Sequence, residues 1–209
     1  MLADLSAIIK EGFQDDIAIK QRILSEQLSI LNMIAQELLR ALDLGKKIIV
    51  FGNGGSAADS QHIAGELVGK FSKVRRALPC IALTTDSAIL TSISNDFGYA
   101  HVFARQLEAL GSPGDVVLGI STSGNSENVV RGLETAAAME LTTIGFTGRD
   151  GGQIERIVDL CFCVPSYQTP RIQEAHMAVA HAMCEFIENR IATFDYPQLG
   201  GQMQIKVRN

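Results

Sequence analysis

Apolar positions between residues 3 and 43 recur at three- and four-residue intervals, among them Ile8, Ile9, Phe13, Ile17, Ile23, Leu24, Leu28, Leu31, Ile34, Leu38 and Leu42. That period predicts an α-helix, and Gly45 supplies its stop. The stretch reads as one long helix or two joined helices placed before any strand. Having little of its own to pack on, it is expected to cover the following domain or a second subunit. From Lys46 onward short apolar runs alternate with helical periods. Strands are predicted at Ile48–Gly52, Cys80–Thr84, Val116–Thr122, Thr142–Thr147 and Leu160–Val164. Each is rich in Val or Ile, as expected for parallel strands buried on both faces. Helices are predicted at Ser56–Phe71, Ser87–Ile93, Ala100–Leu110, Ser126–Met139 and Pro170–Thr193, with a short one near Gly152–Ile157.

Repeated strand–helix units predict an α/β fold with a doubly wound, five-stranded parallel sheet and a site at the strand carboxyl ends. The expected strand order is 2-1-3-4-5. One domain is expected over residues 1–193, with a helical segment at 1–45 and the α/β core at 46–193. Residues 194–209, polar and holding Gly200-Gly201, read as a tail.

Composition removes several classes. The formal charge of −5 argues against non-specific nucleic-acid binding, which needs a basic surface. No apolar run reaches the roughly 18 residues that span a bilayer. The opening Met1-Leu2-Ala3-Asp4-Leu5 lacks a cationic n-region, so cytoplasmic residence is expected. Cys80, Cys161, Cys163 and Cys184 form no Cys-x-x-Cys pair and read as reduced, buried thiols.

The third predicted strand empties into Ser121-Thr122-Ser123-Gly124-Asn125-Ser126, immediately before a helix. Four hydroxyls beside the unpaired N–H groups of a first helical turn suit a phosphate without any cationic side chain. The first strand ends in Gly52-Asn53-Gly54-Gly55-Ser56-Ala57, which also fits the G-x-G-x-x-A dinucleotide fingerprint. That reading wants an acidic residue about 20 positions on, at the end of the second strand. The nearest strand-end acid, Asp86, comes about 30 residues after the loop, and the serine loop stays unexplained.

The following helix carries Asp59, His62 and Glu66 on one face. His and Glu four apart suit a divalent metal, an acid/base pair or a solvated surface. The last helix offers Arg171, Gln173, Glu174, His176 and His181; Gln173 and His181 lie about 80° apart around the axis and about 12 Å along it. Supplying one site from two subunits would meet that spacing more easily. His176, among apolar neighbours, reads as structural. Thr84-Thr85-Asp86 and Asn95-Asp96-Phe97-Gly98 follow the second strand and offer polyol partners, or merely a cap and a turn.

Together, Gly52–Ser56, the Gln61-His62 to Glu66-Leu67 helix, Asn95–Gly98, Gly119–Ser126 and Arg171–Glu174 with His181 resemble the phosphoheptose isomerases, the sedoheptulose 7-phosphate isomerases of the sugar isomerase (SIS) fold. The resemblance runs from about Leu2 to Arg190. It implies isomerisation of sedoheptulose 7-phosphate to D-glycero-D-manno-heptose 7-phosphate through an enediol, on the way to ADP-heptose and lipopolysaccharide. By position it implies phosphate binding by Ser121, Thr122, Ser123 and Ser126, and sugar contacts from Asn53, Gly54, Gly55, Asn95 and Asp96. Glu66 and His181 fall on the catalytic pair; His62, Glu66, Gln173 and His181 fall on the zinc set. Homotetramers with sites at subunit contacts are implied as well. The competing reading is a non-catalytic SIS-fold regulator, a sugar-phosphate sensor or replication-initiator partner. Such a binder has no need of the four-residue polar set.

Overall fold

The computed structural model describes residues 4–191, so the tail expected at 194–209 lies outside the described residues. Two helices open the chain, α1 (Leu5–Glu26) and α2 (Leu28–Asp43). Asp4 caps α1 by accepting a hydrogen bond from the Ser6 N–H at 3.1 Å. The break between them falls at Gln27, whose φ of −128° and ψ of 4° leave the helical region. The Gln27 side-chain amide donates at 2.7 Å to the Cys163 carbonyl, 136 residues away. Of the two expected arrangements the chain takes two joined helices, and a tertiary bond sets the joint.

The strands are β1 (Ile48–Gly52), β2 (Cys80–Ala82), β3 (Val116–Ser121), β4 (Thr142–Gly148) and β5 (Leu160–Val164). All pairings are parallel and the order is β2-β1-β3-β4-β5, the expected order, which the strand–helix alternation alone does not determine. Side-chain alternation splits the core in two. Ile48, Val50, Leu118, Ile120, Phe146 and Phe162 face α1, α2, α3 (Gly55–Val68) and α7 (Thr169–Ile191). Ile49, Phe51 and Val117 face α5 (Ala104–Leu110) and α6 (Glu127–Ala138). A doubly wound sheet results.

Differences from the sequence reading fall at element ends. β2 stops at Ala82 rather than Thr84, and α4 runs on to Phe97 (Ser87–Phe97). The helix expected over Ala100–Leu110 is a 3₁₀ turn at Tyr99–His101 followed by the shorter α5. The segment near 152–157 is one 3₁₀ turn, Ile154–Arg156. No described helix is long and apolar enough to cross a membrane.

Strand order reverses between β1 and β3, so the loops leaving these two neighbours open side by side at the carboxyl edge. Gly119 on β3 lets the following helix sit close: a Cβ there would lie 2.8 Å from Leu133 Cδ1 of α6. The middle of α6 is thereby pressed against β3.

Candidate active site

The serine loop joins β3 to α6. Ser121 is buried at the strand end, and its Oγ lies 3.0 Å from Ser126 Oγ and 3.4 Å from Ser123 Oγ. Three hydroxyls therefore converge above the first turn of α6. Ser126 occupies the N-cap with extended backbone, yet its hydroxyl makes no capping bond and remains available to a ligand. Gly124 takes φ +66°, which turns the chain back without strain. The loop is braced from outside: Gly124 O accepts from the Ile154 N–H at 3.1 Å, and Asn125 Oδ1 from the Gln153 N–H at 3.0 Å. Thr122 and Ser123 are half-buried beside them.

The loop after β1 is tied to the first turn of α6, just beyond the serine loop. Asn53 donates through Nδ2 to Asn128 Oδ1 at 2.8 Å, and Asn128 Nδ2 donates back to Asn53 Oδ1 at 2.9 Å. Tyr99 Oη donates to Asn53 Oδ1 at 2.8 Å. Gly54 and Gly55 are exposed beside Asn53. A Cβ at Gly55 would collide with the Gln173 side-chain amide, so this glycine is where α7 reaches the β1 loop. Asn95 and Asp96, at the end of α4, are exposed and bond to each other at 2.7 Å. Tyr99, three residues beyond Asp96, is the residue of this stretch that reaches the loop.

Two turns into α3, His62 Nε2 lies 3.1 Å from Glu66 Oε1 and 3.1 Å from His181 Nε2 of α7. Ligand atoms of these three residues all lie within 4.8 Å of one another. Zinc with Zn–N bonds of about 2.0–2.1 Å holds tetrahedral nitrogens roughly 3.3 Å apart, and the His62–His181 spacing is close to that. The donor set thus fits a divalent metal. His181 meets His62, and Gln173 meets Gly55, within one chain. The awkward spacing on α7 is met because the two residues address different parts of α3.

Phe71 tilts against His181, with ring centroids 5.7 Å apart. One turn before His62, Asp59 has an Oδ2 without a hydrogen-bond partner, and burial raises its carboxyl above the ordinary range, partly offset by His62. His176 is structural, as its apolar surroundings suggest. It is 1% exposed, its Nε2 lies 2.9 Å from the Thr147 carbonyl, and burial lowers its pKa to about 4. Burial raises the thiols of Cys80 and Cys184 to about 12 and of Cys161 to about 11, so they stay protonated.

Asn128 and Tyr99 escaped the sequence reading. Asn128 sits two residues past Ser126, where an asparagine gives no signal of its own, and Tyr99 follows the Asn95–Gly98 run directly. Only tertiary folding brings either to Asn53.

An SIS domain family model matches residues 13–148. The phosphoheptose isomerase of Aquifex aeolicus is 50% identical over 191 residues, covering 91% of this chain and 98% of that one. Among solved structures, phosphoheptose isomerase from Neisseria gonorrhoeae superposes with a TM-score of 0.84 at 41% identity, over 89% of this chain and 100% of that one. That from Francisella tularensis gives 0.86 at 33%, over 90% and 100%. With fold, loops and polar cluster in hand, these likenesses show that the chain belongs to the phosphoheptose isomerase family of SIS-domain proteins.

Proposed function

We propose that the chain interconverts sedoheptulose 7-phosphate and D-glycero-D-manno-heptose 7-phosphate. The observation that carries this reading is the meeting of His62, Glu66 and His181, two helical turns from a glycine loop that is itself bonded to the first turn of α6, directly after the serine loop. Ser121, Thr122, Ser123 and Ser126 hold the phosphate with hydroxyls and the α6 N-terminus. Asn53, Gly54, Gly55, Asn95 and Asp96 contact the hydroxyls. Glu66 takes the C1 proton of the ketose, forming the enediol, and returns a proton to C2. His181 protonates the former carbonyl oxygen and collects the proton from the oxygen on C1. Each role is typically worth 10²- to 10⁴-fold.

Zinc is the proposed metal, held by His62, Glu66 and His181; the family resemblance adds Gln173 as a fourth ligand, although its amide here lies against Gly55 at the start of α3, two turns from His62. When bound it supplies Lewis-acid polarisation of substrate oxygens. A carboxylate has two oxygens, so Glu66 can serve the cluster through one and the substrate through the other. A non-catalytic binder leaves this acid, base and histidine grouping without purpose, which disfavours the regulator reading.

A homotetramer with sites at subunit contacts accords with the outer face of α1, where Leu5 is 69% and Phe13 66% exposed. A groove of about 630 Å³ between α1 and α7, lined by Ile8, Ile9, Phe13 and Met177, ends at His181. A phosphorylated sugar as substrate suits a cytoplasmic enzyme. The deciding experiment incubates purified protein with sedoheptulose 7-phosphate, with chelator or with added zinc. Aldose should appear with zinc and vanish with chelator; zinc-loaded protein that forms none refutes the reading.

A further inference from the structure

Between α3 and β2 the chain runs through residues 69–79 without helix or strand, and such a segment needs partners for its backbone groups. One carboxylate supplies several. Glu188 of α7 accepts the Phe71 N–H on Oε1 at 3.0 Å, and on Oε2 the Ser72 N–H at 2.8 Å, the Ser72 hydroxyl at 2.9 Å and the Lys73 N–H at 2.8 Å. Arg75 folds inward beside it, its Nε 3.2 Å from Glu188 Oε1 but not aligned for a hydrogen bond; both side chains are 1% exposed. The guanidinium spends its remaining donors on the end of α3. Nη2 donates to the Glu66 carbonyl at 2.7 Å, and Nη1 to the Leu67 and Arg76 carbonyls, each at 2.9 Å.

Two features of this arrangement point at the chemistry. The carbonyl that Arg75 grips through Nη2 belongs to Glu66, the proposed base. The segment anchored by Glu188 begins with Phe71, whose ring lies against His181, the proposed acid. Glu188 itself lies seven residues beyond His181, two turns along the same face of α7. A buried ion pair is a weak source of stability, because desolvation offsets the attraction. Its value here is geometric: it fixes the last turn of α3 and the loop against α7.

We propose that Arg75 and Glu188 are positioning residues, a buried clamp that sets the distance between Glu66 and His181. The proposal rests on the isomerase reading for the roles of those two groups. In Glu188→Gln one carboxylate oxygen becomes an NH₂ group facing N–H donors. In Arg75→Lys the fork that spans Glu66, Leu67 and Arg76 is lost.

The test measures isomerisation kinetics, melting temperature and zinc affinity by chelator competition for wild type and both variants. In each variant kcat should fall about 10- to 100-fold with KM within about 3-fold, since the serine loop is untouched. Zinc affinity, read without substrate, should fall by a similar factor. Folded variants with unchanged kcat and zinc affinity overturn the clamp, as does a loss in which kcat and KM merely follow the melting temperature. Should both variants fail to fold, Phe71→Leu, which leaves the ion pair intact, decides. A fall in its kcat at constant KM supports the clamp, and unchanged kcat overturns it. Wild type that makes no aldose, yet whose zinc affinity still depends on Arg75 and Glu188, strikes the isomerase reading and leaves the clamp standing.

Discussion

His62 and His181 stand 119 residues apart in sequence and 3.1 Å apart through their Nε2 atoms. Two ring nitrogens at that distance share at most one proton, whereas a cation between them satisfies both. Zinc added to the metal-free chain should therefore raise its melting temperature. Free zinc at 100 times its dissociation constant stabilises by about 2.7 kcal/mol. His62→Ala should abolish most of that shift in a thermal melt, and a full shift in the variant would remove His62 from the site.

Glu66→Gln keeps the shape of the side chain and removes the proposed base. Turnover should fall by about 10²- to 10⁴-fold, while sugar-phosphate binding, measured by calorimetry, persists. Near-normal turnover would show that another group takes the C1 proton.

In the proposed reaction the serine loop governs binding rather than chemistry. Ser121→Ala and Ser123→Ala each remove a hydroxyl from the phosphate, and hydrogen bonds to charged groups contribute about 1.5–3 kcal/mol. Each substitution should raise KM by roughly 10- to 100-fold with a smaller change in kcat. An unchanged KM in both would place the phosphate elsewhere.

Asn128→Leu breaks the reciprocal amide pair with Asn53 and leaves the Asn53 Nδ2 donor without its partner. Stability should drop by about 1–3 kcal/mol, and KM should rise because the glycine loop loses its tie to α6. Denaturant titration and steady-state kinetics check the two halves. A KM equal to wild type would show that the tie is structural only.

His176 predicts a pH dependence. Burial holds its folded pKa at about 4, below the unfolded value of 6.5, so the unfolded chain binds more protons between those limits. The contribution is complete above about pH 6.5 and is lost as pH falls toward 4, on the order of 3 kcal/mol in all. His176→Phe, beside Phe146 and Phe162, should flatten stability against pH in that window. A wild-type slope there would refute the assignment.

Much of the fold can be read from apolar periodicity, because buried parallel strands announce themselves as short Val/Ile runs and the helices between them repeat at 3.6 residues. What fails to show is what depends on distant partners. The joint at Gln27 is made by a carbonyl on β5, and α5 begins late because the Tyr99 turn is drawn to Asn53. In the site, the serine loop and the His62–Glu66 face are local and legible. The spacing of Gln173 and His181 in sequence favours supply from two subunits, whereas within this chain Gln173 lies against Gly55 at the start of α3 and His181 against His62 in its middle. Arg75 lies in a stretch with no period, and its neighbour Arg76 differs from it in nothing a sequence displays.

The bond from Gln27 to Cys163 also bears on the exposed rim of the sheet. β5 is the last strand of an open sheet, and its outer row of backbone groups is a template for another chain. Gln27 takes one of those carbonyls and Arg22 takes the next one beyond the strand, at Pro165. The leading helices thus act as a guard rail along that rim, and shortening the chain past residue 27 should open it to strand-to-strand stacking.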